Sequence, residues 1–214
     1  MKHQSSIQFV RILLLVLVSA VSYNAALADD LNPPPYRGGP LSVYAHWVSE
    51  DLGFLLLNEF FFVEDNDPST FLMDFLPTVQ LDPAAGIYSF RIPNFIDELP
   101  VKLLRLQLTW VGNTQSPIAV STEGVDQGSL VPGVLTYVSQ PLIFTQPDGG
   151  YQYFDFEYRP NPDFESIFVQ LSPGAQIVQA VVDSISTLPE PSSLGILAVG
   201  GFVLLIRKNP WLQK

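Results

Sequence analysis

Lys102-Leu103-Leu104-Arg105-Leu106-Gln107-Leu108-Thr109-Trp110 decides the fold. Leu104, Leu106, Leu108 and Trp110 fall on one face of an extended chain, and Arg105, Gln107 and Thr109 fall on the other. Successive side chains of a strand point to opposite faces, so this period of two predicts a strand with one face on a core. Gln152–Tyr158 repeats the pattern, with Phe154, Phe156 and Tyr158 opposite Tyr153, Asp155 and Glu157. Ile167, Val169 and Leu171 form a third inward row, and Tyr88, Phe90 and Ile92 a fourth. One-sided alternation of this kind belongs to antiparallel sheets with one wet face.

Between these runs stand turn formers: Asp82-Pro83-Ala84-Ala85-Gly86, Val131-Pro132-Gly133, Pro147-Asp148-Gly149-Gly150 and Ser172-Pro173-Gly174. Such punctuation leaves little room for long helices. Pro147–Gly150 reads as the clearest hairpin turn. Leu52–Val63 is apolar throughout and fits a central strand or a short helix equally well. Residues 41–187 are therefore expected to form an all-β domain, an antiparallel, jelly-roll-like β-sandwich. Asp29–Pro40, rich in Pro and Gly, is expected to be an extended leader, and Ser184–Ser193 a linker.

Charge separates this body from the two ends. The chain has 214 residues, 10 Lys+Arg, 21 Asp+Glu and no Cys, with a formal charge of −11. Residues 29–188 hold 20 of the acids and five of the basic residues, a formal charge of −15. An acidic body lacks the basic face that nucleic acid requires. The absence of Cys excludes disulfides, thiolate metal sites and a cysteine nucleophile.

The N-terminus reads as a signal peptide over residues 1–28, with a helical apolar segment. Lys2 and Arg11 precede the apolar run Ile12–Ala20, and Ala26-Leu27-Ala28 fits the small-x-small rule for cleavage before Asp29. At the other end, Pro189-Glu190-Pro191 precedes the uncharged stretch Leu194–Ile206, closed by Arg207-Lys208. Thirteen helical residues reach about 20 Å, short of a hydrocarbon core of about 30 Å. The basic pair favours the cytoplasmic side and places the body outside.

The order Pro-Glu-Pro, short apolar helix, basic cluster resembles the PEP-CTERM sorting signal of Gram-negative bacteria, here residues 188–208 with a tail at 209–214. That resemblance implies recognition of the tail by an exosortase, a membrane protease or transpeptidase. It also implies export through the secretion machinery, a membrane-anchored stage, and release to the cell surface or extracellular matrix of an exopolysaccharide or biofilm producer. The step Pro160-Asn161-Pro162-Asp163-Phe164-Glu165, followed by the Val-rich run Val178–Ser186, is also similar to the last strands of PEP-CTERM cargo proteins. Those bodies carry no assigned activity.

Catalytic motifs are scarce. His46 is the one His of the body, no G-x-S-x-G elbow exists, and no His pair has metal-ligand spacing. His46 reads as a structural residue, and no cofactor is implied. Glu64-Asp65-Asn66-Asp67 is a dense oxygen cluster in which Asp65 and Asp67 would serve calcium. Thr70 and Leu76 stand where an EF-hand needs its glycine and its bidentate Glu, so an acidic turn is the preferred reading. Tyr151 and Tyr153 share the polar face with Asp155, and aromatic rings there could stack on sugar. The expected function is a non-enzymatic, exported surface or matrix protein in contact with exopolysaccharide. The alternatives are a secreted polysaccharide hydrolase or lyase using acidic residues and calcium, and a tail-anchored periplasmic subunit.

Overall fold

A computed structural model describes residues 30–51, 54–64, 70–115, 117, 119–145 and 147–188. Outside them lie Ala26, Ala28 and Asp29 of the cleavage site, Asp65 and Asp67 of the acidic cluster, and Pro189, Glu190, Pro191, Arg207 and Lys208 of the sorting motif, together with both expected helices.

The described chain is all-β and antiparallel. Its strands are β1 (Ser42–Asp51), β2 (Phe54–Val63), β3 (Phe71–Leu72), β4 (Thr78–Asp82), β5 (Ile87–Pro93), β6 (Phe95–Ile96) and β7 (Val101–Val111). They continue as β8 (Ala119–Asp126), β9 (Ser129–Pro132), β10 (Val134–Val138), β11 (Leu142–Thr145), β12 (Asp148–Tyr158), β13 (Phe164–Gln170) and β14 (Gln176–Thr187). One sheet runs β10-β12-β7-β14-β1-β2, with β11 also on β12; a second runs β4-β5-β13-β8-β9, and β3 pairs with β6.

The inward rows of both sheets meet in one cluster, so the body is sandwich-like. Leu104, Leu106, Leu108 and Trp110 of β7 are buried with Phe154, Phe156 and Tyr158 of β12, and with Phe90, Ile92, Ile167 and Val169 of the second sheet. Trp47 meets Phe90 edge-on across the two sheets, with ring centroids 5.1 Å apart. Burial of large apolar side chains contributes roughly 1.5–3 kcal/mol each, and this row is the main favourable term of the fold.

Four expectations change. Within the apolar run expected as a central strand or a short helix, Phe54–Val63 form β2, an edge strand, with Leu56 and Phe62 exposed. Gly149 and Gly150 belong to β12 rather than to a turn, paired with Val111 and Trp110. A Cβ on Gly149 would stand 2.1 Å from the Trp110 carbonyl oxygen, so close backbone approach demands glycine there. Ser184–Thr187 complete β14 instead of opening a linker. The leader is not extended: Arg37 N–H donates to the Pro34 carbonyl and Gly39 N–H to the Tyr36 carbonyl, with Gly38 at φ 75°. These turns bring the leader onto the outer face of the larger sheet.

Candidate functional site

The outer face of the seven-stranded sheet is organised by register. Tyr44 stands opposite Asp183, Asp183 opposite Arg105, Arg105 opposite Asp155, and Asp155 opposite Tyr137. Five strands thus align one row of aromatic, acidic and basic side chains. Within it the Arg105 guanidinium forks onto Asp155, with Nε 2.6 Å from Oδ1 and Nη2 2.7 Å from Oδ2. This planar, two-point match is the strongest geometry open to a carboxylate.

The leader adds a second fork. Arg37 donates from Nε to Asp183 Oδ1 at 2.5 Å and from Nη2 to Asp183 Oδ2 at 2.6 Å, and it also holds Asp30. Its guanidinium carbon lies 4.5 Å from the centre of the Tyr44 ring. Burial pushes the Asp183 carboxyl up to about 6, although Arg37 opposes the rise. For Arg37, desolvation works against the charge, but the bonds to Asp183 and Asp30 outweigh it and raise the pKa.

The residues expected to touch sugar separate here. Tyr151 is buried, its hydroxyl donating to Gln107 Oε1 at 2.6 Å and accepting from Asn32 Nδ2 at 3.2 Å. Burial pushes its phenol up to about 12. Tyr151 is therefore a strut beneath the leader rather than a stacking platform, and Gln107, expected on a wet face, is buried with it. Asp155 has both oxygens engaged by Arg105. Tyr153 stays half-buried, with Arg105 4.4 Å from its ring centre on one side. Tyr137, 50% exposed, lies 5.6 Å from it between ring centroids. Sequence reasoning missed Tyr137, because β10 is exposed at every position and shows no alternation.

His46 is buried on β1, with Nε2 2.9 Å from Gln179 Nε2 and Nδ1 3.5 Å from Asn58 Nδ2. Amide partners agree with a structural role. Among the described residues no three His, Asp or Glu side chains gather as a metal site would require. A cavity of about 510 Å³ opens at the β4–β5 and β13–β14 turns, lined by Leu81, Tyr88, Gln170, Pro173 and Gln176 among others. It has no carboxylate, His or basic side chain.

A second constellation, missed in the sequence, lies inside the core. Lys102 of β7 and Glu165 of β13 are both fully buried, with Nζ 3.9 Å from Oε1. Lys102 Nζ donates to Asn94 Oδ1 and, at 3.4 Å, to Ser186 Oγ. Burial pushes Glu165 up to about 7 and Lys102 down to about 8, with their mutual attraction opposing both shifts. The signal was parity: Lys102 shares its face with Leu104 and Leu106, and Glu165 with Ile167 and Val169.

Set beside known proteins, the chain matches no family model and no curated protein.

Proposed function

We propose that this chain is an exported, non-enzymatic protein of a Gram-negative-type cell envelope, sorted by an exosortase and displayed at the surface or in the extracellular matrix. The observation that carries the reading is the C-terminal order Pro189-Glu190-Pro191, Leu194–Ile206, Arg207-Lys208. The end of β14 at Thr187 supports it, because the body completes its sheet just before the motif begins. A peptide that leaves a finished domain at a proline is open to a processing enzyme. We take the two sheets as a jelly-roll-like sandwich that serves as a rigid cargo body.

The arrangement of acids also favours this reading over a hydrolase or lyase. Such an enzyme needs two carboxylates of unlike pKa open to one substrate. Among the described residues the two carboxylates pushed upward, Asp183 and Glu165, are 1% and 0% exposed. Asp183 faces the leader and Glu165 faces the core. Contact with exopolysaccharide falls instead to the Tyr137–Tyr153 pair.

A reporter fused between Leu188 and Pro189, on the body side of the motif, tests the sorting step in an exosortase-positive host. The expected result is a processed C-terminus for the native tail and none when Pro189, Glu190 and Pro191 become alanines. Equal processing of both would overturn the reading. Mass spectrometry of the native C-terminus separates it from a tail-anchored periplasmic subunit, which keeps Arg207 and Lys208.

A further inference from the structure

Where β7 begins, three reactive groups meet away from water: the Lys102 amine, the Asn94 carboxamide and the Glu165 carboxyl. All three residues are 0% exposed. The carboxamide is held from several directions. Its Nδ2 donates to Asn161 Oδ1 at 2.9 Å and to the Pro162 carbonyl at 2.5 Å, and its Oδ1 accepts from Phe95 N–H at 2.7 Å. Lys102 Nζ lies against that same Oδ1. Glu165 stands beside Lys102, and among the described residues neither of its carboxyl oxygens has a hydrogen-bond partner.

As a salt bridge this arrangement is poor. At 3.9 Å the ions are beyond hydrogen-bond distance, and no donor among the described residues replaces the carboxylate's water. As a set of reagents it is well placed. A desolvated lysine sheds its charge and becomes a nucleophile. A carboxylic acid kept neutral by an apolar site can donate to a developing oxyanion. The shifts of both groups toward neutrality agree with these roles. Fixed proximity supplies effective molarities on the order of 10⁵–10⁸ M when groups are aligned.

We propose that the folded chain joins Lys102 to Asn94 through an amide bond between Nζ and Cγ, with Glu165 carrying the protons. The neutral amine attacks Cγ, and Glu165 protonates Oδ1 as the tetrahedral carbon forms. Glu165 then takes a proton from Nζ and delivers it to Nδ2, and the Oδ1 proton returns to Glu165 in the collapse that follows. The Cγ–Nδ2 bond breaks, ammonia leaves, and the carbonyl reforms. One amine and one carboxamide become one secondary amide and one ammonia, and Glu165 ends protonated as it began. The product removes the buried ammonium, and its carbonyl gives the Glu165 hydroxyl a partner.

The test is mass spectrometry of the folded full chain after denaturation and digestion with trypsin, which cuts after Lys and Arg. The expected product spans residues 92–105, uncut after Lys102 and lighter than its sequence by one ammonia, with fragmentation placing Asn94 and Lys102 in one ring. Asn94→Ala is expected to be cut after Lys102, and Lys102→Arg to be cut after residue 102, both without ammonia loss. Wild-type peptides of full mass, cut after Lys102, would overturn the proposal. So would an ammonia loss with Lys102 still cut, which is a backbone succinimide at Asn94. Glu165→Gln, shown to be folded by circular dichroism, is expected to remain unlinked; a linked Glu165→Gln protein would overturn the role given to Glu165.

Discussion

Strand β7 carries Arg105 on its outer face and Lys102 on its inner face, and the two are treated in opposite ways. Arg105 forks onto Asp155, and one strand away Arg37 forks onto Asp183. These guanidinium groups stay charged because each carboxylate receives two aligned donors and each arginine keeps part of its side chain in solvent. Lys102 has a compact ammonium, a carboxyl at 3.9 Å and no solvent. The outer ions act as a clasp for the leader. The inner pair moves toward neutrality, which turns ions into chemical reagents. The cost of burying charge is met outside by geometry and inside by moving protons.

Breaking the outer clasp is expected to have the largest effect. Arg37→Ala leaves Asp183, 1% exposed, without its partner and frees Asp30. Removing one member of a buried pair destabilises by about 3–5 kcal/mol, and partial exposure of Arg37 places this case at about 3. The urea midpoint should fall at constant m-value. The loss should shrink at pH 5, because Asp183 then carries its proton and needs no counter-charge.

The inner pair is sharpened by pH. Glu165 keeps its proton up to about 7 in the fold, whereas the unfolded chain releases it near 4.5. In that window the native state binds more protons, so stability falls as pH rises. Asp183 contributes the same sign up to about 6. A free Lys102 would act oppositely: the fold releases its proton near 8 and the unfolded chain holds it to 10.5, so stability would rise with pH. An amide at Lys102 has no such proton. Urea titrations from pH 4.5 to 9.5 should therefore show the acid-side fall in wild type and in Asn94→Ala. The alkaline rise should occur only in Asn94→Ala.

Between these effects and the surface lies the leader contact. Tyr151→Phe removes one bond to Gln107 and one from Asn32, while the Asn32 backbone N–H still reaches Gln107 Oε1 at 3.0 Å. A loss of about 1 kcal/mol is expected for such a neutral hydrogen bond, read from the same midpoints.

Alternation made the strands legible, and with them the inward rows of β5, β7, β12 and β13. It could not show what lies on the other face. Gln107 and Tyr151 look solvent-facing by period, but the leader covers them through Asn32, which lies 75 residues from Gln107 and 119 from Tyr151 along the chain. That is tertiary information, which no local pattern contains. Lys102 and Glu165 were legible in principle, since each sits in phase with an apolar row. The two strands that bring them together are not neighbours in sequence or in one sheet. Gly149 and Gly150 misled for the opposite reason: glycine next to Pro and Asp reads as a turn, yet here it answers the close approach of Trp110.

The smallest stability effect belongs to the aromatic pair at the sheet edge, where binding is the sensitive readout. Tyr153→Ala removes the ring under Arg105, a contact worth about 0.5–1 kcal/mol at exposed sites. Tyr137→Ala removes a half-exposed ring and should change stability by less than about 0.5 kcal/mol. A body with a formal charge of −15 is repelled by anionic polymers, so the contact is best sought with a neutral glucan. Wild-type protein should be retarded in a gel containing the glucan, and Tyr137→Ala should regain the mobility seen without it. Equal retardation of the two would move any polysaccharide contact away from this edge and leave the outer face with the leader clasp alone.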